Sequence, residues 1–330
     1  MYKLNILQYS NMQNLHIRDE LKLSILSDNI EYINLEKEFL SKYKFSKLNT
    51  FTFSKAGFLD LLLQLNKKGK IAISVGETES LIEAGKEFEE LGFKLTWINL
   101  LKDGTLNKKD ILNKEIDFAF ISSYVMDSFV KINLEEIKSL SKVKIISNAS
   151  ASIDKTSDVI YFDCYKLTGF SFEGVILFDD ELFDEKSIGF TNPIAVDLIY
   201  QALKNQTFDE TSKKLFEENL KEVLKDDIYF FVDNKQTLPY SLHFALKGIK
   251  ARELIRTLAL DNIHITNGEG CSLGLSKPSR IIQSMGYDEI TSRNSISFSF
   301  DRKYTKDEIE KIVKKIAKKY KQIKVLNEGN

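Results

Sequence analysis

Apolar positions fall into two textures along the chain. From residue 70 onward, short apolar runs alternate with amphipathic stretches. KIAIS (70–74) is strand-like, and the following ETESLIEAGKEFEEL sets Leu81, Ile82, Phe88 and Leu91 on one helical face. FKLTWINL (93–100) and IDFAFISS (116–123) read as strands, and NLEEIKSLSK reads as a helix with Asn133 at its N-cap and Glu136 three residues on. VKIIS (143–147), VIYFD (159–163) and GVILF (174–178) are three more runs of strand length. Runs apolar on both faces, alternating with amphipathic helices, predict a largely parallel α/β sheet. Ligands of such sheets sit at the carboxyl ends of the strands.

After about residue 205 the texture changes. A long helix over FDETSKKLFEENLKEVLKD leads to the strand YSLHFALK, the helix KARELIRTLAL, the strands NIHIT and SISFSF, and a last helix opened by the capping pair Thr305 and Glu308. Few strands interleaved with helices predict a smaller α+β domain. The division expected is 1–45, a mostly helical segment lying on the small domain or across a dimer face; 46–205, the large α/β domain; and 206–330, the small domain.

Composition narrows the function classes. The 330 residues carry 47 basic and 48 acidic side chains, so no charge excess favours a nucleic acid or a membrane surface as partner. Two cysteines argue against a disulfide framework, and no apolar run approaches the ~20 residues needed to cross a bilayer. A cytoplasmic protein is expected. The three histidines do not cluster in sequence, and the zinc-type spacings are missing, so no metal site is expected.

One loop stands out: NGEGCSLGLSKPS (267–279) places Cys271 among Gly268, Gly270 and Gly274. Glycine at that density belongs to neither a helix nor a strand interior, and a thiol there is either incidental or reactive. The glycines do not make a dinucleotide fingerprint, because Pro278 follows and only one further strand remains. Cys164, at the end of VIYFD, is expected to pack in the core. Lys166, two residues later, stands where a parallel sheet presents ligand groups, and a lysine there can form a Schiff base with a carbonyl cofactor.

The segment KLTGFSFEGVILF resembles the lysine segment of the class V aminotransferase and cysteine desulfurase family, the fold type I pyridoxal phosphate enzymes. The stretch from LPYSLHFALKG through the cysteine loop to SISFSF and the last helix is similar to that family's C-terminal part in order and spacing. The resemblance runs from about residue 50 to 325 and is thin in the first half. It implies a PLP-dependent transferase-like fold, with Lys166 holding pyridoxal phosphate and Cys271 taking sulfur from a bound amino acid substrate, cysteine, for delivery to an acceptor protein. By the same resemblance Asn148 and Tyr165 line the cofactor, while Ser54 and Lys55 form its phosphate turn. Thr191 falls where the family reaches the neighbouring subunit's phosphate, which implies a homodimer.

Several positions depart from that pattern. Asn148 replaces the aspartate that pairs with the pyridine nitrogen, and Ala151 a glutamine on the ring hydroxyl. Asp163 replaces a phosphate-binding serine, Tyr165 a histidine, and Ser297 the arginine that clamps the substrate carboxylate. GETESLIEA contains no ring-stacking histidine. Three readings stay open: a cysteine desulfurase-like enzyme; a catalytically degenerate homologue that binds or scaffolds; and a pyridoxal phosphate aminotransferase or lyase acting on another substrate.

Overall fold

The computed structural model describes residues 1–7, 15–18, 21, 29–112, 115–179, 182–183, 191–268 and 277–328. Its strands are β1 (Tyr2–Lys3), β2 (Lys47–Phe51), β3 (Ile71–Ser74), β4 (Leu95–Ile98), β5 (Phe118–Phe120), β6 (Lys144–Asn148), β7 (Val159–Phe162), β8 (Gly174–Phe178), β9 (Ile228–Tyr229), β10 (Ser241–Leu246), β11 (Ile263–His264) and β12 (Ser295–Ser299). Its helices are α1 (Ile30–Tyr43), α2 (Lys55–Asn66), α3 (Glu79–Glu90), α4 (Lys109–Leu112), α5 (Leu134–Leu140), α6 (Cys164–Thr168), α7 (Pro193–Asn205), α8 (Ser212–Leu224), α9 (Ala251–Ala259), α10 (Arg280–Ser284), α11 (Glu289–Ser292) and α12 (Lys306–Glu328).

Seven strands form one sheet in the order β2-β8-β7-β6-β5-β3-β4. Strands β3 to β7 are parallel, and β8 pairs antiparallel with both β7 and β2. Six of the seven therefore point the same way, and their carboxyl ends share one edge. All residues of β3, β7 and β8 are buried, as their continuous apolar runs predict. Of the face expected for α3, Leu81, Ile82 and Phe88 are buried, whereas Leu91 falls at the C-cap and is exposed. Asn133 caps α5 by accepting from the Glu136 N–H at 3.1 Å. The Thr305–Glu308 box is complete: the Thr305 N–H donates to the Glu308 carboxylate (2.9 Å) and the Glu308 N–H to the Thr305 hydroxyl (3.2 Å).

In the C-terminal part, β12, β10 and β9 form an antiparallel sheet covered by α8, α9 and α12. Its core includes Phe216, Leu242, Phe244, Phe298 and Ile312. A second apolar cluster runs across both parts, from Ala119, Ile121 and Val130 to Leu238, Tyr240 and Ile281. No described helix is long and apolar enough to cross a membrane.

The opening segment differs from the helical expectation. Residues Tyr2–Lys3 pair parallel with β11, and Asn5 bridges to Ser299, so the described first residues are a strand laid on the small domain. The Leu4 N–H donates to the His264 carbonyl, and the Leu4 carbonyl accepts from Ser299 N–H, both at 2.8 Å, with Leu4 fully buried. Helix α1 instead packs on the large domain, where Leu35 and Phe39 meet Phe162, Ile199 and Tyr200. Strand pairing across the length of the chain leaves no periodicity in so short a run, which is why YKLNI did not announce itself.

Candidate active site

Lys166 sits in α6, a single turn that follows the carboxyl end of β7. Asp163 starts this turn as its N-cap, with Oδ1 accepting from the Lys166 N–H at 3.2 Å, and Gly169 ends it in the left-handed region. Three hydrogen bonds in series tie the lysine to the end of β6. The Ser150 hydroxyl accepts from the Asp163 N–H (2.8 Å), and the Ser150 N–H donates to Asn148 Oδ1 (3.0 Å). Lys166 is half-buried, and its Nζ lies 3.8 Å from the Met126 sulfur.

Met126 belongs to the loop between β5 and α5, where Asp127 (φ 60°) and Phe129 (φ 59°) both occupy the left-handed region. A phenylalanine there is strained, and such strain persists only where the surroundings hold it. Here they do: the Val125 and Phe129 N–H groups close the turn on Val130 and Val125 carbonyls, and the Leu238 N–H donates to the Phe129 carbonyl at 2.9 Å. Asp127 is buried and joins the two domains. Its Oδ2 accepts from the Ser279 hydroxyl and its carbonyl from the Ser297 hydroxyl, each at 2.9 Å. Its carboxylate also lies so close to Gly268 (φ 104°) that a Cβ there would overlap it. Gly268 and Ser279 flank the cysteine loop on its two sides. Both stems of that loop thus meet one residue, Asp127, whose neighbour touches Lys166. Cys271 itself lies outside the described residues.

Beneath these loops runs a buried polar network. The Glu77 carboxylate, 1% exposed, accepts from the Ser122 N–H (2.6 Å), the Ser122 hydroxyl (3.0 Å) and the Tyr161 hydroxyl (3.1 Å). Three donors offset the cost of burying a carboxylate. The Ser122 hydroxyl in turn accepts from the Asn148 N–H at 3.0 Å. Arg280 donates to the Val75 carbonyl at 2.6 Å and to the Glu77 carbonyl, which binds the small domain to the β3–α3 loop. Among the described residues of these loops four side-chain atoms are buried and make no hydrogen bond: Asn148 Nδ2, Thr78 Oγ1, Ser128 Oγ and Asn267 Oδ1.

The remaining expected residues are more scattered. Ser54 caps α2, its hydroxyl accepting from the Gly57 N–H at 3.4 Å, in a turn so tight that a Cβ on Gly57 would strike the Thr52 carbonyl. Lys55 turns away to pair with Glu87 of α3. Tyr165 is 37% exposed, close in sequence to exposed Phe170 and Phe172, whose rings lie 6.0 Å apart. The Thr191 hydroxyl is engaged with the Tyr32 side chain of α1. Ser297 is fully buried, and its hydroxyl lies 3.0 Å from His243 Nδ1. Because that hydroxyl's proton goes to the Asp127 carbonyl, His243 carries its proton on Nδ1, and burial lowers its pKa to about 4. Cys164 is fully buried, as expected, and burial pushes its thiol up to about 11. Among the described residues no group of three His, Cys, Asp or Glu side chains is placed to hold a metal ion.

Glu77, Ser122, Ser150, Met126 and Asp127 were not singled out in the sequence. Their signals were small: polar residues directly after the apolar runs KIAIS, IDFAFI and VKIIS, and an Asp-Ser pair of the kind turns favour.

The residues present fit the ring end of pyridoxal phosphate: Lys166 carries an amine, and its backbone N–H is joined by one hydrogen-bonded series to Asn148, whose Nδ2 is a buried donor without a partner. At the phosphate end the fit is poorer, since Asp163 already places a carboxylate at the N-terminus of α6.

No family model matches the chain. It is 29% identical over 102 residues to a protein named cysteine desulfurase IscS from Buchnera aphidicola subsp. Schizaphis graminum (strain Sg), a match that takes in 31% of this chain and 25% of the relative. With cysteine desulfurase IscS from Pseudomonas putida (strain W619) it shares 20% identity over 305 residues, 79% of this chain and 72% of that one. The solved NifS-like protein from Rickettsia africae ESF-5 superposes with a TM-score of 0.69 at 17% identity, covering 93% of this chain and 97% of the other. In sequence the chain is thus similar to proteins named cysteine desulfurase, and its fold is the one NifS-like proteins have, the fold type I architecture.

Proposed function

We propose that the chain is a pyridoxal phosphate-dependent enzyme of the cysteine desulfurase type, taking sulfur from free cysteine onto Cys271. The observation that carries this reading is the meeting of both cysteine-loop stems at Asp127, one residue from the Met126 contact of Lys166. The names and fold of the relatives support it.

In this reading Lys166 Nζ would hold the cofactor carbonyl, Asn148 would orient the ring from the end of β6, and the Ser54 turn of α2 together with Tyr165 would face the phosphate, while Lys55 would have to leave Glu87 to reach it. The bound cofactor supplies an electron sink that labilises bonds at the substrate's α- and β-carbons. Lys166 Nζ would be the group that holds and returns a proton beside the substrate's α-carbon. The Cys271 thiolate attacks the substrate sulfur, and the Cβ–S bond breaks with its electron pair staying on the carbon fragment. That fragment gains a proton and leaves as alanine, while the sulfur remains on Cys271 as a persulfide for an acceptor protein. Thr191 and the exposed Tyr165, Phe170 and Phe172 are assigned to a homodimer contact, in a cytoplasmic, reducing setting.

A second reading is favoured by Ser297: with its hydroxyl committed to Asp127 and beside His243, it gives no cationic clamp for an α-carboxylate. A lyase or aminotransferase acting on an amine without that carboxylate would not need one. The visible absorbance of purified protein with pyridoxal phosphate, measured beside Lys166→Ala, tests both. A lysine-dependent band is expected, and cysteine should then release alanine only while Cys271 is present. Turnover of an amine indifferent to Cys271→Ala favours the second reading. No band in either protein overturns both and leaves a binding or scaffolding protein that kept the fold.

A further inference from the structure

The carboxamide of Asn148 is fully buried, and its two ends are unequal. Oδ1 accepts from the Ser150 N–H, whereas Nδ2 meets no acceptor in the protein. Turning the amide over would set Nδ2 against the Ser150 N–H, donor against donor, so the orientation is fixed by chemistry. The backbone gives it no freedom either, because the Asn148 N–H is held by the Ser122 hydroxyl, itself anchored on Glu77. What remains is a buried donor, joined through Ser150 and Asp163 to the backbone N–H of Lys166. A buried donor left unmade is costly, and an acceptor on a ligand of this site would satisfy it.

We infer that Asn148 donates to the ring nitrogen of the cofactor and holds that nitrogen unprotonated, an inference resting on the functional reading above. A protonated ring nitrogen is itself a donor and would face Nδ2 hydrogen to hydrogen. The neutral ring is a weaker electron sink than the pyridinium. The chemistry of this site therefore leans on nucleophilic and proton-holding side chains more than on charge drawn into the ring.

The test is the nitrogen-15 NMR shift of ring-labelled pyridoxal phosphate bound to the full chain, between pH 6 and 8. The shift of a neutral pyridine, constant across that range, is expected. Asn148→Asp should move it to the pyridinium position, and Asn148→Ala should leave it titrating with pH. Circular dichroism and thermal unfolding of each variant establish that it is folded, and Asn148→Ala serves should the second carboxylate near Glu77 prevent folding. A pyridinium shift in the unmodified protein, with the Lys166-dependent band present, overturns this inference alone. Absence of that band overturns the functional reading and this inference together.

Discussion

The two sides of the candidate site differ in how their polar groups are engaged. On the large-domain side, the segments at and after the ends of β3, β5, β6 and β7 carry Thr78, Met126, Asn148 and Lys166, and Lys166 Nζ lies 3.8 Å from the Met126 sulfur. On the small-domain side, around Ser297, the hydroxyl is engaged with Asp127 and His243, and Asp127 is engaged with Ser279. Among the described residues, the large-domain side leaves Asn148 Nδ2, Thr78 Oγ1 and Ser128 Oγ buried without a protein partner, whereas the small-domain side ties Ser297, Asp127 and Ser279 together and leaves His243 Nε2 bare. A serine hydroxyl finds its acceptor on the Asp127 carbonyl, where an arginine at the same place would need an anion.

The sharpest way to break this contrast is Lys166→Ala, which should abolish the cofactor absorbance band and reduce turnover to background; a band that survives would deny the large-domain side its role. Next in size is the small-domain side. His243 titrates near 4 in the folded chain against an ordinary 6.5, so the unfolded chain binds more protons between those values. Its contribution is complete above pH 6.5 and is lost as pH falls toward 4, on the order of 3 kcal/mol. Urea unfolding at pH 7 and pH 4.5 should show this loss, and a folded His243→Gln variant should show a smaller one.

Asp163→Ser probes the boundary between the two sides. Serine still caps α6, while a carboxylate that repels a phosphate dianion is removed. Affinity for pyridoxal phosphate should rise about tenfold relative to unphosphorylated pyridoxal, ~1.4 kcal/mol. Equilibrium titration followed by absorbance reads the ratio, and an unchanged ratio would place the phosphate away from α6. The smallest effect is expected at Cys164. With its thiol pushed up to about 11 by burial, it should resist alkylation at pH 7.5 in a folded Cys271→Ser variant and react only after unfolding. Mass spectrometry of the intact chain checks this.

Much of the architecture was legible because it rests on local rules. Continuous apolar runs marked β3, β5, β6, β7 and β8, and caps at Asn133 and Thr305 form as their sequences demand. Lys166 was legible too, since a residue two places past an apolar strand has little choice but to stand at the sheet's carboxyl edge. Lys55 was not: its position in α2 was readable, but its pairing with Glu87 depends on how α2 meets α3. Glu77 was equally hidden, because a carboxylate in a polar loop looks solvated until Ser122 and Tyr161, 45 and 84 residues away, are seen to donate to it.

What the sequence determined by itself is most of the elements after residue 70, their alternation, and the place of Lys166 just past β7, all of which follow from spacing within a few residues. Only the tertiary structure decided that β1 joins the small domain, that Asp163 serves as a cap, that Asp127 meets both stems of the cysteine loop, and which end of the Asn148 amide is left unpaired. Each of these depends on hydrogen bonds or contacts that pair one specific group with another. Such pairing is set by where the folded backbone places the partners, which the hydrophobic pattern does not encode.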